Sequence, residues 1–171
     1  MIGFMDESSP QTTANTVRVW CGKKPTTVKN TDRIKANAMG FFAINGTSLI
    51  DFPDRSKIAD VCTFLGRLRS CNGDRRIVAI LDNYSAHRSA TTIAYAGSLN
   101  IELVFLPPYS PDLNPIEPVW RKMKRAISKN RIINRAYMTS LLEERFYQEV
   151  SKTSYFTHWK ETFLCDVGLN I

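Results

Sequence analysis

Arg76–His87 reads RIVAILDNYSAH, and Leu106–Trp120 reads LPPYSPDLNPIEPVW. Ile77–Leu81 is a continuous apolar run, as expected of a strand covered on both faces, and Asp82 ends it. An acidic residue at the C-terminal end of a buried parallel strand is where α/β sheets place ligands. Asp82 with Asn83 is also a common way to close a strand into a turn. Glu117 lies beyond thirty-four intervening residues, just after a segment with three prolines in five residues, Pro107, Pro108 and Pro111. Asn114-Pro115 predicts a helix start, with Asn114 as N-cap, Pro115 at the first helical position and Glu117 at the third. Glu117 would then favour the helix dipole and complete a capping box. Capping does not explain the rigid proline turn ahead of it, which suits a preorganised site.

Working outward, Ser89–Gly97 reads as a short helix and Ile101–Leu106 as a strand. This strand–helix–strand order implies a parallel, right-handed crossover. Upstream, Ile58, Val61, Cys62, Leu65 and Leu68 form a helical stripe over Ser56–Ser70, closed by Asn72-Gly73. Ala38–Ile44 and Thr47–Phe52 flank Asn45-Gly46, the dipeptide most suited to a tight hairpin, and Pro53 stops the sheet. Thr16–Trp20 alternates like a half-buried strand, Gly22–Arg33 reads as a basic loop, and Ile2–Asp6 is a short opening strand. Downstream, Ile116, Val119, Trp120, Met123 and Ile127 share one helix face. Met138, Leu141, Leu142 and Phe146 begin another helix, and Tyr155–Phe163 is aromatic and helical. The fold class is therefore α/β, a mixed sheet flanked by helices.

Composition narrows the function. A chain of 171 residues with 43% hydrophobic and 23% charged residues can bury one core. The net charge of +7 and pI near 9.4 point to a polyanionic partner. Cys21, Cys62, Cys71 and Cys165 form no CxxC pair and no cluster with histidine, against a zinc site or disulfide framework. No signal peptide and no apolar run near the roughly 20 residues of a membrane span occurs, so an intracellular setting fits. No phosphate-cradling glycine motif is present.

The candidate site is built from carboxylates. Asp6 in IGFMDES (2–8) follows an apolar stretch, and if its strand lies beside the one ending in Asp82 the two acids meet. Glu7 points to the opposite strand face, and Asp51 and Asp54 are rivals near another strand end. Three converging carboxylates suggest magnesium-dependent chemistry on phosphodiesters. His87 could contact a phosphate or order the site, or be a structural hydrogen-bonder. Arg121, Lys122, Lys124, Arg125, Lys129, Arg131 and Arg135 place seven cations and no acid in fifteen residues. Such a run is either a solvated helix face or a track steering a phosphate backbone to the carboxylates.

ILDNYSAH followed by LVFLPPYSPDLNPIEPVWRKMK resembles the second half of a DDE transposase catalytic domain of the mariner-type superfamily, in its bacterial and archaeal insertion-sequence branch. FMDES resembles the strand carrying that family's first Asp. The likeness covers about residues 2–150. It implies a ribonuclease-H-like fold in which Asp6, Asp82 and Glu117 hold two divalent metals, magnesium with manganese as an alternative. The implied reaction is hydrolysis of a phosphodiester at a transposon end, then attack of the liberated 3′-hydroxyl on target DNA. Asn83, His87, Tyr109, Asn114 and Trp120 would support the site, and Arg121, Lys122, Lys124, Arg125 and Lys129 would face DNA. Double-stranded DNA, transposon end and target, is the implied partner; a homodimer is compatible, and no membrane is involved. The implied location is the cytoplasm of a prokaryotic cell, in association with DNA. Relatives usually carry helix-turn-helix domains ahead of this one. With Asp6 so near residue 1, the expectation is a single catalytic domain over 1–171 with that recognition domain absent. The competing expectations are a stand-alone nuclease of the same fold and a basic DNA-binding or transposase-partner remnant that does not cut.

Overall fold

The computed structural model describes residues 1–13, 22, 30–108 and 110–163, the side chain of Phe163 excepted. The strand expected at Thr16–Trp20, most of the basic loop, Cys21, Cys165 and Tyr109 lie outside the described residues.

Among the described residues, five strands and five α-helices follow one another as β1 (Ile2–Ser8), β2 (Ala38–Ala43), β3 (Leu49–Asp51), α1 (Ile58–Asn72), β4 (Ile77–Leu81), α2 (Ala90–Ser98), β5 (Ile101–Phe105), α3 (Glu117–Lys129), α4 (Arg135–Val150) and α5 (Ser154–Phe163). A 3-10 turn, Pro111–Leu113, precedes α3. The sheet order is β3-β2-β1-β4-β5. β1, β2 and β3 pair antiparallel, whereas β4 runs parallel to both β1 and β5. The adjacency of β1 and β4 matters most. Met5 is in register with Leu81, so Asp6 within β1 and Asp82 just after β4 stand side by side.

Strand alternation divides the core. Met5, Met39, Phe41, Ala79 and Leu81 pack with Val61, Phe64, Leu65 and Leu68 of α1 and Ala96 of α2. On the other face Ala38, Phe42 and Ile50 pack with Val119, Trp120 and Met123 of α3 and Met138, Leu142 and Phe146 of α4. The sheet is thus a middle layer between helices, the mixed architecture expected.

Local readings need several corrections. Ile58, the first residue of α1, is 39% exposed, and the buried face of the helix is Val61, Phe64, Leu65 and Leu68. Val78 and Ile80 of β4 are only partly buried, so its second face is incompletely covered. The Asn45-Gly46 pair does not make a two-residue hairpin. The strands end at Ala43 and Leu49, and neither residue takes positive φ. Instead Asn45 Oδ1 accepts the Ile2 N–H at 2.9 Å, and Gly46 leaves room for the Met1 side chain. Gly73 does behave as expected: it closes α1 at φ 59°, a conformation open to glycine at little cost.

Candidate active site

Asn114 is not the N-cap of α3. Its side chain accepts the Ile116 N–H at 3.3 Å and its carbonyl accepts the Glu117 N–H at 3.1 Å. Asn114-Pro115-Ile116 therefore forms a turn, and the helix begins at Glu117 itself with Pro118 behind it. The reason is local: a buried Asn satisfied two residues on stabilises a turn rather than a cap. The consequence is functional, since Glu117 is delivered at the lip of the helix.

Asp6, Asp82 and Glu117 line one cleft of about 480 Å³, together with Asn83, Tyr84, Asn114 and the prolines of the 106–111 segment. Each acid comes from a different element: an inner strand, the end of its parallel neighbour, and a helix start. Asp6 is buried, and its Oδ2 accepts the Trp120 indole N–H at 2.9 Å. Burial, and then the charge of Glu117, push the Asp6 carboxyl up to about 7. Asp82 is half exposed. Its Oδ1 accepts the Tyr84 N–H at 3.0 Å and lies 3.0 Å from His87 Nδ1. The His87 hydrogen bond holds the Asp82 carboxyl below the ordinary range, against the burial that would raise it.

His87 is fully buried, and its Nε2 lies 2.8 Å from Glu7 Oε1. Burial alone would lower the imidazole, but the two hydrogen bonds and charges of Asp82 and Glu7 outweigh it and raise it to about 9. Sequence reasoning set Glu7 aside because it faces away from Asp6. It does face away, yet through His87 it reaches Asp82. The available signal was alternation, which puts Glu7 on an apolar face where a charge needs a partner. The tight ligand cluster among the described residues is in fact Glu7, Asp82 and His87, with one potential ligand atom of each within 4.8 Å of the others.

The rivals are occupied elsewhere. Asp51 pairs with Arg67, and Asp54 lies 2.7 Å from Arg135. Asn83 donates its side-chain N–H to the Leu106 carbonyl, tying the end of β4 to the start of the proline segment. Trp120 stands against Gly40, where an added Cβ would come within 2.6 Å of the indole. The cations of α3 divide by direction. Arg121 stands with Glu117 beside α5, whereas Lys122, Arg125 and Lys129 line a groove against Glu144, Arg145 and Gln148 of α4. Lys124 is partly buried, and Arg131 and Arg135 lie past the helix.

One contributor was not anticipated. Trp159 of α5 donates its indole N–H to the Leu113 carbonyl at 2.8 Å and packs edge-on against Phe4, with ring centroids 5.3 Å apart. It fastens the 3-10 turn that leads into Glu117.

Hard oxygen donors around a cleft, one of them raised to about 7 by burial and then by the charge of a second carboxylate, suit a magnesium- or manganese-type cation. Such a cation would offset both the burial of the Asp6 charge and its repulsion by Glu117.

The family described as DDE superfamily endonuclease matches residues 1–138. The chain belongs to the DDE superfamily endonucleases. Its fold is that of the Mos1 mariner transposase catalytic domain, which is ribonuclease-H-like. The crystal structure of that catalytic domain superposes with a TM-score of 0.62 at 18% identity, covering 96% of this chain and 81% of the other. The Mos1 strand transfer complex gives 0.65 at 19%, covering 99% and 56%. The Mos1 paired end complex with Mg gives 0.67 at 19%, covering 96% and 55%. A curated protein from Sinorhizobium fredii (strain NBRC 101917 / NGR234), "Uncharacterized protein y4pE/y4sA", is 42% identical over 64 residues, 37% of this chain and 45% of its own length. The chain thus spans about half the length of the Mos1 chains in the two complexes, and its match spans 45% of the curated relative.

Proposed function

We infer that this DDE endonuclease domain cuts DNA strands and joins them to new sites, as the catalytic domain of a transposase. The observation that carries this reading is the cleft into which β1, the end of β4 and the start of α3 each deliver one carboxylate. Asp6, Asp82 and Glu117 are its catalytic acids and would hold two divalent ions, Mg²⁺ or Mn²⁺. Bound there, the ions would make water a nucleophile near neutral pH and balance charge on the entering and leaving oxygens.

In cleavage, a water oxygen bonds to phosphorus, the P–O3′ bond breaks, and the 3′-oxygen leaves as a hydroxyl. In joining, that 3′-hydroxyl attacks a second phosphodiester by the same in-line displacement. Asp6 would hold a cation in its ionised form, and the Trp120 indole N–H keeps its Oδ2 oriented. Asn83, Asn114 and His87 hold the backbone and carboxylates of the cleft in place, and Tyr109 is proposed to join them. Arg121, Lys122, Lys124, Arg125 and Lys129 would contact the phosphate backbone of double-stranded DNA. Both transposon ends and target DNA are proposed substrates. Assignment to the bacterial and archaeal insertion-sequence branch is supported by the bacterial source of the 42% identical relative.

Nicking of supercoiled plasmid with Mg²⁺ or Mn²⁺ tests the reading. Wild type should nick, and Glu117→Gln, which removes the charge at nearly constant shape, should lose at least about 100-fold in rate. Equal nicking by both proteins would remove Glu117 from the chemistry. Metal-dependent DNA binding without nicking by either would favour a domain that binds but does not cut.

A further inference from the structure

His87 is closed from solvent, and each of its ring nitrogens meets a carboxylate: Asp82 Oδ1 at 3.0 Å and Glu7 Oε1 at 2.8 Å. Ionised carboxylates only accept, so the ring donates from both nitrogens. The Tyr84 N–H reaches the same Asp82 oxygen at 3.0 Å. Asp82 Oδ1 therefore has two donors, while among the described residues no hydrogen bond engages Oδ2. The loop bearing His87 is itself fixed. The Tyr84 ring packs edge-on against the imidazole at 5.5 Å. Thr92 at the start of α2 donates its hydroxyl to the Ala86 carbonyl at 2.7 Å.

We propose that Glu7 is a positioning residue of the metal site, acting through His87 to fix the Asp82 carboxylate so that Oδ2 alone faces the cleft. The inference rests on the reading of Asp82 as a metal ligand. Ligating side chains are oriented by outer hydrogen-bond partners, and loss of such a partner typically weakens metal affinity by about 10- to 100-fold. Glu7 stands on the opposite face of β1 from Asp6, so neighbouring residues of one strand serve the site by different routes. Asp6 enters the cleft directly, and Glu7 reaches it through the imidazole. Glu7, Asp82 and His87 do not need an ion among themselves, because both ring nitrogens already have acceptors and the ring is sealed from water.

Titration with Mn²⁺, followed by the electron paramagnetic resonance of the free ion, tests this on wild type, Glu7→Ala, Glu7→Gln and Asp82→Asn. Asp82→Asn should lose the site. Glu7→Ala should bind Mn²⁺ about 10-fold more weakly. Glu7→Gln, whose amide oxygen still accepts from His87, should bind close to wild type. In plasmid nicking, Glu7→Ala should need more Mn²⁺ for half-maximal rate while recovering at saturation, a split that a general loss of folding does not produce. Should Glu7→Ala fail to fold, Glu7→Met fills similar volume without an acceptor and carries the same expectation. Wild-type affinity in folded Glu7→Ala, with affinity lost in Asp82→Asn, would overturn the positioning role and leave the metal site standing. No Mn²⁺ binding by wild type would overturn the metal site and the positioning role with it.

Discussion

Asp6 shows how much one side chain can depend on its surroundings. Buried beside Glu117, its carboxyl is raised to about 7 from an unfolded value of 3.8. Between these values the folded state binds more protons than the unfolded state, so metal-free stability falls as pH rises from about 4 to about 7. A divalent ion bound at the site should offset that loss. Thermal melts with and without Mg²⁺ are expected to differ little at pH 5 and clearly at pH 8. Equal shifts at both would place the ion away from Asp6. Trp120→Phe keeps the ring packing but removes the donor to Asp6 Oδ2. It should cost about 1–3 kcal/mol in denaturant unfolding and weaken Mn²⁺ binding at pH 7. Unchanged Mn²⁺ affinity would reduce the indole to a packing role. Glu7 has the opposite character. Its side chain does not line the cleft and acts on Asp82 through the buried His87.

At the scale of elements, the site depends on how α3 meets the sheet. Gly40 of β2 faces Asp6 across the β1–β2 pairing and lies under the Trp120 indole. Gly40→Ala would push Cβ to 2.6 Å from the ring. Overpacking of this kind should cost about 1–3 kcal/mol, read as a lower unfolding midpoint, and it should slow nicking by disturbing the Trp120–Asp6 contact. Wild-type stability would show that the helix can shift. The basic face of α3 should act through charge alone. Reversing Lys122 and Arg125 together, which line the groove against α4, should leave the fold intact and lower the salt dependence of DNA binding. An unchanged slope would move the DNA path elsewhere.

For the whole molecule, α5 packs beside the turn that leads into Glu117. Trp159 joins the Leu113 carbonyl to Phe4 of β1. Glu149 at the end of α4 is buried among Lys152, Tyr155 and Arg145. Trp159 is partly buried, so Trp159→Ala should destabilise the protein by about 1–3 kcal/mol. It should also free the 3-10 turn, raising hydrogen exchange at Leu113 and Asn114 above that of the β1–β4 core. Exchange changes confined to α5 would show that it packs on the site without steering it.

Much of this was legible beforehand. Apolar runs and helical stripes marked the strands and helices, since periodicity follows burial. Asp82 and Glu117 stood out because a strand end and a proline-rich turn hold them in unusual contexts. The hairpin at Asn45-Gly46 and the cap at Asn114 differ from expectation for opposite reasons. Asn45 is engaged by the Ile2 N–H, 43 residues away, whereas Asn114 is satisfied within its own buried turn. Residue type and short spacing were enough for the elements of the described residues, the three candidate acids and the basic character of α3. Tertiary structure alone decided that β1 lies beside β4 in the register that brings Asp6 to Asp82, that Glu7 reaches the site through His87, and that Trp159 braces the turn before Glu117. Those contacts join residues from 46 to 155 positions apart, and no local pattern specifies which distant partners a chain will bury together.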